Sequence, residues 1–159
     1  MKRFQNKTYV HWDVKNVGFK ANLSDINASL LQNQIKNIKK NSFKRKKIFE
    51  NLKKNLENIK GLKIPKQNQN TKRDYHLFPI GVKKQSRDLF IKYLNQNNIP
   101  TTVNYKSILQ LTYYKKKYRK QKCKESKDWG DETLSIPFHL KLKKKELKYI
   151  IKKINKFFL

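Results

Sequence analysis

Val17-Gly18-Phe19-Lys20-Ala21-Asn22-Leu23-Ser24-Asp25-Ile26-Asn27-Ala28, running on into Ser29-Leu30-Leu31-Gln32-Asn33-Gln34, is the stretch from which the fold is read. It is built as an extended, polar-tipped segment that turns into a long helix. Gly18 permits a backbone conformation that other residues resist. Ser24 is placed to cap the helix, and Asp25 sets a carboxylate in the first turn, where the helix dipole favours negative charge. Apolar residues then recur at three- and four-residue steps: Leu31, Ile35, Ile38, and later Ile48, Phe49, Leu52, Leu56 and Ile59. This spacing predicts one long amphipathic helix with lysines on its outer face and room for a bend near Asn41-Ser42. Gly61 is its expected stop, and Pro65 prevents its resumption.

Beyond a polar loop at Lys66-Gln67-Asn68-Gln69-Asn70-Thr71-Lys72, three strand candidates alternate with helices. The first is Tyr75-His76-Leu77-Phe78-Pro79-Ile80-Gly81-Val82, where Pro79 argues for an edge or a bulge. Ser86 is the expected cap of a helix through Leu89, Phe90, Tyr93 and Leu94. The β-branched run Ile99-Pro100-Thr101-Thr102-Val103-Asn104-Tyr105 reads as the second strand. A tyrosine-lysine helical stretch follows from Leu111 to Tyr118, and a short helix near Asp131-Glu132 leads into the third strand, Leu134-Ser135-Ile136-Pro137-Phe138. The last helix has Leu147, Ile150, Ile151, Ile154, Phe157 and Phe158 on its inner face. The expected class is therefore α/β, a short sheet covered by helices and preceded by a long helix. Residues 1–17 open too abruptly for a natural domain edge; residues 1–60 are expected as an extension and residues 61–159 as the small domain.

Composition narrows the function classes. The chain has 159 residues, 36% of them hydrophobic and 12% aromatic, enough for one ordinary core. No apolar run is long enough to span a bilayer, and Met1-Lys2-Arg3-Phe4-Gln5-Asn6 is followed by no apolar core of the secretory kind. One cysteine, Cys123, excludes an internal disulfide and fits a reducing compartment, with cytoplasm as the default. The net charge of +29 would attract nucleic acid or anionic lipid. Nearly all of it is lysine, however; the only arginines are Arg3, Arg45, Arg73, Arg87 and Arg119. Bidentate reading of guanine or phosphate prefers arginine's planar fork, so no specific nucleic-acid partner is expected.

The order of residues from Gly18 to Ala28 resembles the G-[YF]-[KN]-x-N-[ML]-[ST]-D-[IL]-x-A-A segment of the DegT/DnrJ/EryC1/StrS sugar aminotransferases. These are fold-type I enzymes dependent on pyridoxal phosphate (PLP). Further blocks follow in the family's order. Tyr75-His76-Leu77-Phe78 resembles H-x-[WY]-H-[LV]-[FY]. Arg87-Asp88-Leu89-Phe90-Ile91-Lys92-Tyr93-Leu94 with Asn98-Ile99-Pro100-Thr101 resembles R-D-x-L-x-x-x-L…G-I-x-[TV]. Val103-Asn104-Tyr105 stands in the place of [VL]-H-[YF], and Leu134-Ser135-Ile136-Pro137-Phe138-His139 in that of L-[SC]-L-P-[LM]-[HF].

The resemblance implies the small C-terminal domain of a fold-type I aminotransferase, with residues 1–60 as the tail of the large PLP domain and its connecting helix. It implies that Asn22 reaches the phosphate of the partner subunit's PLP in a homodimer. His76, Asn104 and Tyr105 would approach the substrate, although Asn104 departs from the family's usual His. The whole enzyme would move an amino group from glutamate to a keto-sugar nucleotide in cell-surface polysaccharide or lipopolysaccharide assembly. The family's Schiff-base lysine, in an S-x-x-K context ahead of a G-E-G-G loop, has no counterpart in the chain. Gly18, Gly61, Gly81 and Gly130 are isolated. No catalytic residue is therefore assigned, and the chain alone is expected to be inactive without a large-domain partner.

Other chemistries find less support. His11, His76 and His139 are too dispersed for a zinc signature, and no metal site is expected. No nucleophile elbow or phosphate-binding glycine loop is present. Two binding readings stay open. Tyr113-Tyr114-Lys115-Lys116-Lys117-Tyr118-Arg119-Lys120 combines charge with aromatics, as a lysine-rich nucleic-acid-binding module would, or is a helix with one buried tyrosine side. The terminal helix has the character of a membrane-surface helix, but its apolar face is needed to cover a small sheet, so no membrane partner is expected.

Overall fold

Ser24 starts the long helix as its sequence suggests. Its hydroxyl accepts the Asn27 N–H at 3.3 Å and its carbonyl accepts the Ala28 N–H at 2.8 Å. The computed structural model describes residues 22–159, together with the backbone of two strands, β1 (Phe4–Gln5) and β2 (Thr8–Tyr9), which pair antiparallel. The expected turn at Gly18 lies outside the described residues. Helix α1 (Asp25–Leu56) has 32 residues, about 48 Å of rise, and is helical through Asn41-Ser42 without interruption. It ends at Leu56, short of the expected stop. The chain then turns, with the Leu62 N–H on the Ile59 carbonyl at 3.1 Å, and Gly61 takes φ +93° inside that turn.

Two compact units make up the chain, Met1–Lys36 and Asn37–Leu159. In the second, a three-stranded antiparallel sheet runs in the order β3 (Leu62–Lys63), β4 (Phe78–Val82), β5 (Thr133–Ile136). The register pairs Phe78 with Ile136 and Ile80 with Leu134, so alternation puts these four and Val82 on one face. They are buried with Phe49, Leu52 and Leu56 of α1, Phe90 and Leu94 of α2 (Lys84–Gln96), and Ile150 and Ile154 of the last helix. Each such side chain contributes about 1.5–3 kcal/mol by leaving water. The other face carries Pro79, Gly81, Thr133 and Ser135. There Trp129 lies so close to Gly81 that a Cβ would sit 2.9 Å from its ring.

The remaining elements are a 3-10 turn at Ile108–Gln110, α3 (Thr112–Lys117), α4 (Lys124–Glu132) and α5 (Lys144–Phe158). The expected small α/β architecture, a short sheet covered by helices with a long helix before it, is what the chain forms, and the sheet is antiparallel.

Several local expectations are corrected. The first strand is only Phe78–Val82; Tyr75 adopts φ 51° and breaks the extended run ahead of it. The second strand does not form. From Ile99 to Tyr105 only Thr102 bridges to Ser135, with N–H to carbonyl distances of 3.1 and 2.7 Å in the two directions. Pro100 has no N–H to extend that ladder. The third strand is Thr133–Ile136, ending before Pro137. Ser86 is not the cap of α2: the helix starts two residues earlier, and Lys83 precedes it with no side-chain cap.

The end of α2 is closed by its own chemistry. Asn98 takes φ 58°, its N–H meets the Asn95 carbonyl at 3.0 Å, and the Ile99 N–H reaches back to Leu94 at 2.9 Å. This is a Schellman closure, with Leu94 and Ile99 both buried against the core. Asn is the non-glycine residue that tolerates this conformation best, and Asn98 stands where the G-I-x-[TV] pattern has its glycine. At the start of α5, Glu146 accepts the Lys143 N–H at 2.7 Å, which supplies half of a capping box without a Ser or Thr.

Candidate functional site

Asn22 is exposed, two residues ahead of the Ser24 cap. It therefore rides beside the positive end of the α1 dipole, where an anion is favoured. Its amide is a neutral donor, suited to a phosphate oxygen. Within the same unit Leu23, ahead of α1, and Ile26, Leu30, Leu31 and Ile35 on its first turns are exposed.

His76 is exposed and follows Tyr75, whose left-handed backbone is held by an edge contact of its ring on Phe49 at 5.3 Å. Asn104 is half-buried and Tyr105 is 74% exposed. His76 precedes β4 by two residues, and Phe78 opposes Ile136; Asn104 and Tyr105 follow the single bridge of Thr102 to Ser135.

The loop that carries Tyr105 is fixed by α4, through residues that sequence reading did not single out. A Cβ on Gly130 would stand 2.6 Å from the Ser107 nitrogen and 3.3 Å from the Tyr105 carbonyl oxygen, so backbone lies directly on helix at this point. Ser107 is buried, with its hydroxyl 3.0 Å from that of Ser126. Gln110 Nε2 donates to Asp131 Oδ1 at 2.9 Å, and Lys84 Nζ stands 3.0 Å from Asp131 Oδ2. Lys63 likewise meets Glu132 at 2.7 Å. The Gln110 amide bond, followed by that of Lys84, holds the Asp131 carboxyl below its ordinary value of 3.8. A carboxylate with a depressed folded pKa contributes stability above about 3.8, and that contribution is lost as pH falls through the folded value. Asp131→Asn is accordingly expected to lower the melting temperature at pH 7 and to flatten its fall between about pH 5 and pH 2. An unchanged slope in that window would show that Asp131 does not report on the folded state.

A cleft of about 500 Å³ lies among Pro100, Pro137, His139, Glu146 and Tyr149. Its polar groups are partly engaged, Glu146 with the Lys143 N–H and the Tyr149 hydroxyl with the Asn97 carbonyl at 3.2 Å. Among the described residues no group of three or more His, Cys, Asp or Glu side chains is placed to hold a metal ion. No described helix is long and apolar enough to cross a membrane.

For PLP, the described residues fit one role and not another. No described lysine is buried, so none stands in an enclosed site of the kind a covalently held cofactor needs. Asn22 fits an edge contact to a phosphate.

The sequence profile of the DegT/DnrJ/EryC1/StrS aminotransferase family matches residues 1–155. A Methanocaldococcus jannaschii protein is 24% identical over 161 residues, covering 98% of this chain and 42% of its own. The UDP-4-amino-4,6-dideoxy-N-acetyl-beta-L-altrosamine transaminase of Campylobacter jejuni is 28% identical over 142 residues, covering 87% of this chain and 38% of its own. Among solved structures, Helicobacter pylori PseC, an aminotransferase involved in the biosynthesis of pseudoaminic acid, superposes with a TM-score of 0.80 at 22% identity, over 92% of this chain and 40% of that one. TlmJ, an aminotransferase from Streptoalloteichus hindustanus, gives 0.79 at 19% identity, over 91% and 39%. The chain thus spans about two-fifths of the length of the curated relatives it matches.

Proposed function

The chain belongs to the DegT/DnrJ/EryC1/StrS aminotransferase family, and on that premise we propose that it is the C-terminal portion of a PLP-dependent sugar-nucleotide aminotransferase. The complete enzyme transfers an amino group from glutamate to a keto-sugar nucleotide, in the cytoplasm, for cell-surface polysaccharide or lipopolysaccharide biosynthesis. In this reading residues 1–60 are the tail of the large PLP domain with its connecting helix, and residues 61–159 are the C-terminal small domain. What supports it is one observation: the family profile runs through nearly the whole chain, while relatives extend well beyond it.

PLP, when bound, supplies the electron sink that makes the transfer possible. The residues of this chain hold and orient. Asn22 donates its amide N–H to the cofactor phosphate across a homodimer, beside the positive end of α1, for about 1 kcal/mol net. His76, Asn104 and Tyr105 face the sugar. The exposed apolar positions Leu23, Ile26, Leu30, Leu31 and Ile35 are the surface the large domain covers.

Two experiments test this. Reading the genome upstream of Met1 is expected to reveal S-x-x-K followed by G-E-G-G, in frame or in an adjacent frame; an unrelated gene there would overturn the reading. In the assembled enzyme, Asn22→Ala is expected to raise the dissociation constant for PLP about 5-fold, the equivalent of one neutral hydrogen bond. Equal retention by both forms would remove Asn22 from the cofactor site.

A further inference from the structure

The segment from Lys106 to Asp128 holds nine lysine or arginine side chains against only Glu125 and Asp128. The fold gathers part of this charge around a cleft of about 740 Å³, lined by Lys106, Lys115, Lys122, Lys124 and Lys127. Asp128, the carboxylate on that lining, is engaged by Lys124 at 2.7 Å. Beside it α3 turns its tyrosines outward. Tyr113 is 64% exposed, and the rings of Tyr114 and Tyr118 lie nearly parallel, 10° apart, with centroids at 6.2 Å. Lys117 Nζ stands 5.7 Å and 5.6 Å from the Tyr113 and Tyr118 rings, so it lies among the aromatic faces rather than away from them.

Lysine-lined clefts recur in a chain with 40 Lys or Arg residues; what marks this one is the set of exposed tyrosines on the adjoining helix, none of whose residues is buried. A flat ring offers area on which a base stacks at little entropic cost, and a lysine groove follows a phosphodiester backbone. A duplex hides its base faces and could use only the charge. We propose that α3 and the adjoining lysine cleft form a binding surface for single-stranded nucleic acid, in which Tyr113 and Tyr114 stack on bases while Lys115 and Lys122 contact phosphates. Binding is independent of sequence, since lysine is a point charge without a base-reading fork.

The test uses the full chain and a fluorescent 20-mer of thymidylate, followed by anisotropy. The strand is expected to bind more tightly than a duplex of the same length. Raising salt from roughly 50 to 200 mM should weaken binding about 100-fold if five lysines each meet a phosphate. Tyr113→Ala with Tyr114→Ala, which removes two stacks, is expected to cost about 30-fold or more, and the corresponding Phe variants to restore it, because stacking needs the ring and not the hydroxyl. Lys115→Glu with Lys122→Glu should cost far more than Lys152→Glu with Lys156→Glu on α5, a pair of exposed lysines with the same change of charge. Equal losses from the two charge pairs would overturn the proposal, and so would unchanged binding by the Ala variant. Equal affinity for the duplex, or tighter binding to anionic vesicles than to the strand, would do the same.

Discussion

Mixed with PLP, glutamate and a keto-sugar nucleotide, the isolated chain is expected to make no amino sugar; turnover is expected only when a chain carrying the S-x-x-K lysine is added. Transamination needs a lysine that bonds the cofactor and shuttles a proton, and a positioned acid-base group alone is worth about 10²–10⁴ in rate. The described lysines are exposed or, at Lys153, half-buried, and none is enclosed with a carboxylate partner for a pyridine nitrogen. The contact proposed for Asn22 would add about 1 kcal/mol, a factor of about 5, which cannot retain a cofactor by itself. The check is product by mass spectrometry, with 2-oxoglutarate release as a second readout. Turnover by the chain alone would place the chemistry on its own side chains and remove the need for a large-domain lysine.

The parts of this fold that were legible in the sequence are those specified locally. Ser24 and Asp25 announce the start of α1 because a cap bonds within three residues of itself. Phe49, Leu52 and Leu56 reach the core at the spacing their sequence shows. Asn98-Ile99 closes α2 through bonds confined to six residues. What was not legible depends on partners far along the chain. Leu62–Lys63 is too short to carry an alternation and becomes a strand only by pairing with Gly81 and Val82. The Ile99–Tyr105 run has strand composition, yet one bridge at Thr102 is all that forms. β-propensity reports a fit to a half-buried surface, and beyond Thr102 the chain finds α4 instead of a neighbouring strand.

The candidate site divides in the same way. Asn22 could be placed relative to the cap; the tyrosines of α3 could not, since the sequence left open a buried tyrosine side and the structure buries none of them. The neighbours of the Thr102–Tyr105 run could not be placed either, because the bridge of Thr102 to Ser135 and the close approach of Tyr105 to Gly130 join residues far apart in sequence. The lysines of the cleft also come from several elements: Lys106 from the loop, Lys115 from α3, and Lys124 and Lys127 from α4. In sequence they merge into a chain that is lysine-rich throughout.

Gly130→Val is expected to destabilise the chain by about 3 kcal/mol, and two opposing effects decide the sign. Glycine inside a helix costs up to about 1 kcal/mol relative to alanine, so a side chain at an exposed helical position would stabilise α4. Gly130 is not exposed. Its missing Cβ would stand 2.6 Å from the Ser107 nitrogen, and its next neighbours, the Tyr105 oxygen at 3.3 Å and the Lys106 carbonyl carbon at 3.4 Å, are also backbone and cannot rotate away. Overpacking against rigid neighbours costs about 1–3 kcal/mol or more, and a β-branched residue adds two methyl groups to the clash. Relief requires moving the 105–107 segment off α4, which also strains the Ser107–Ser126 and Gln110–Asp131 bonds. Urea denaturation followed by circular dichroism measures the change. Gly130→Ala, with its better helix propensity and smaller volume, is expected to lose about 2 kcal/mol. A loss below about 0.5 kcal/mol for both variants would mean that the loop yields freely, and that Tyr105 is not held against α4 in solution.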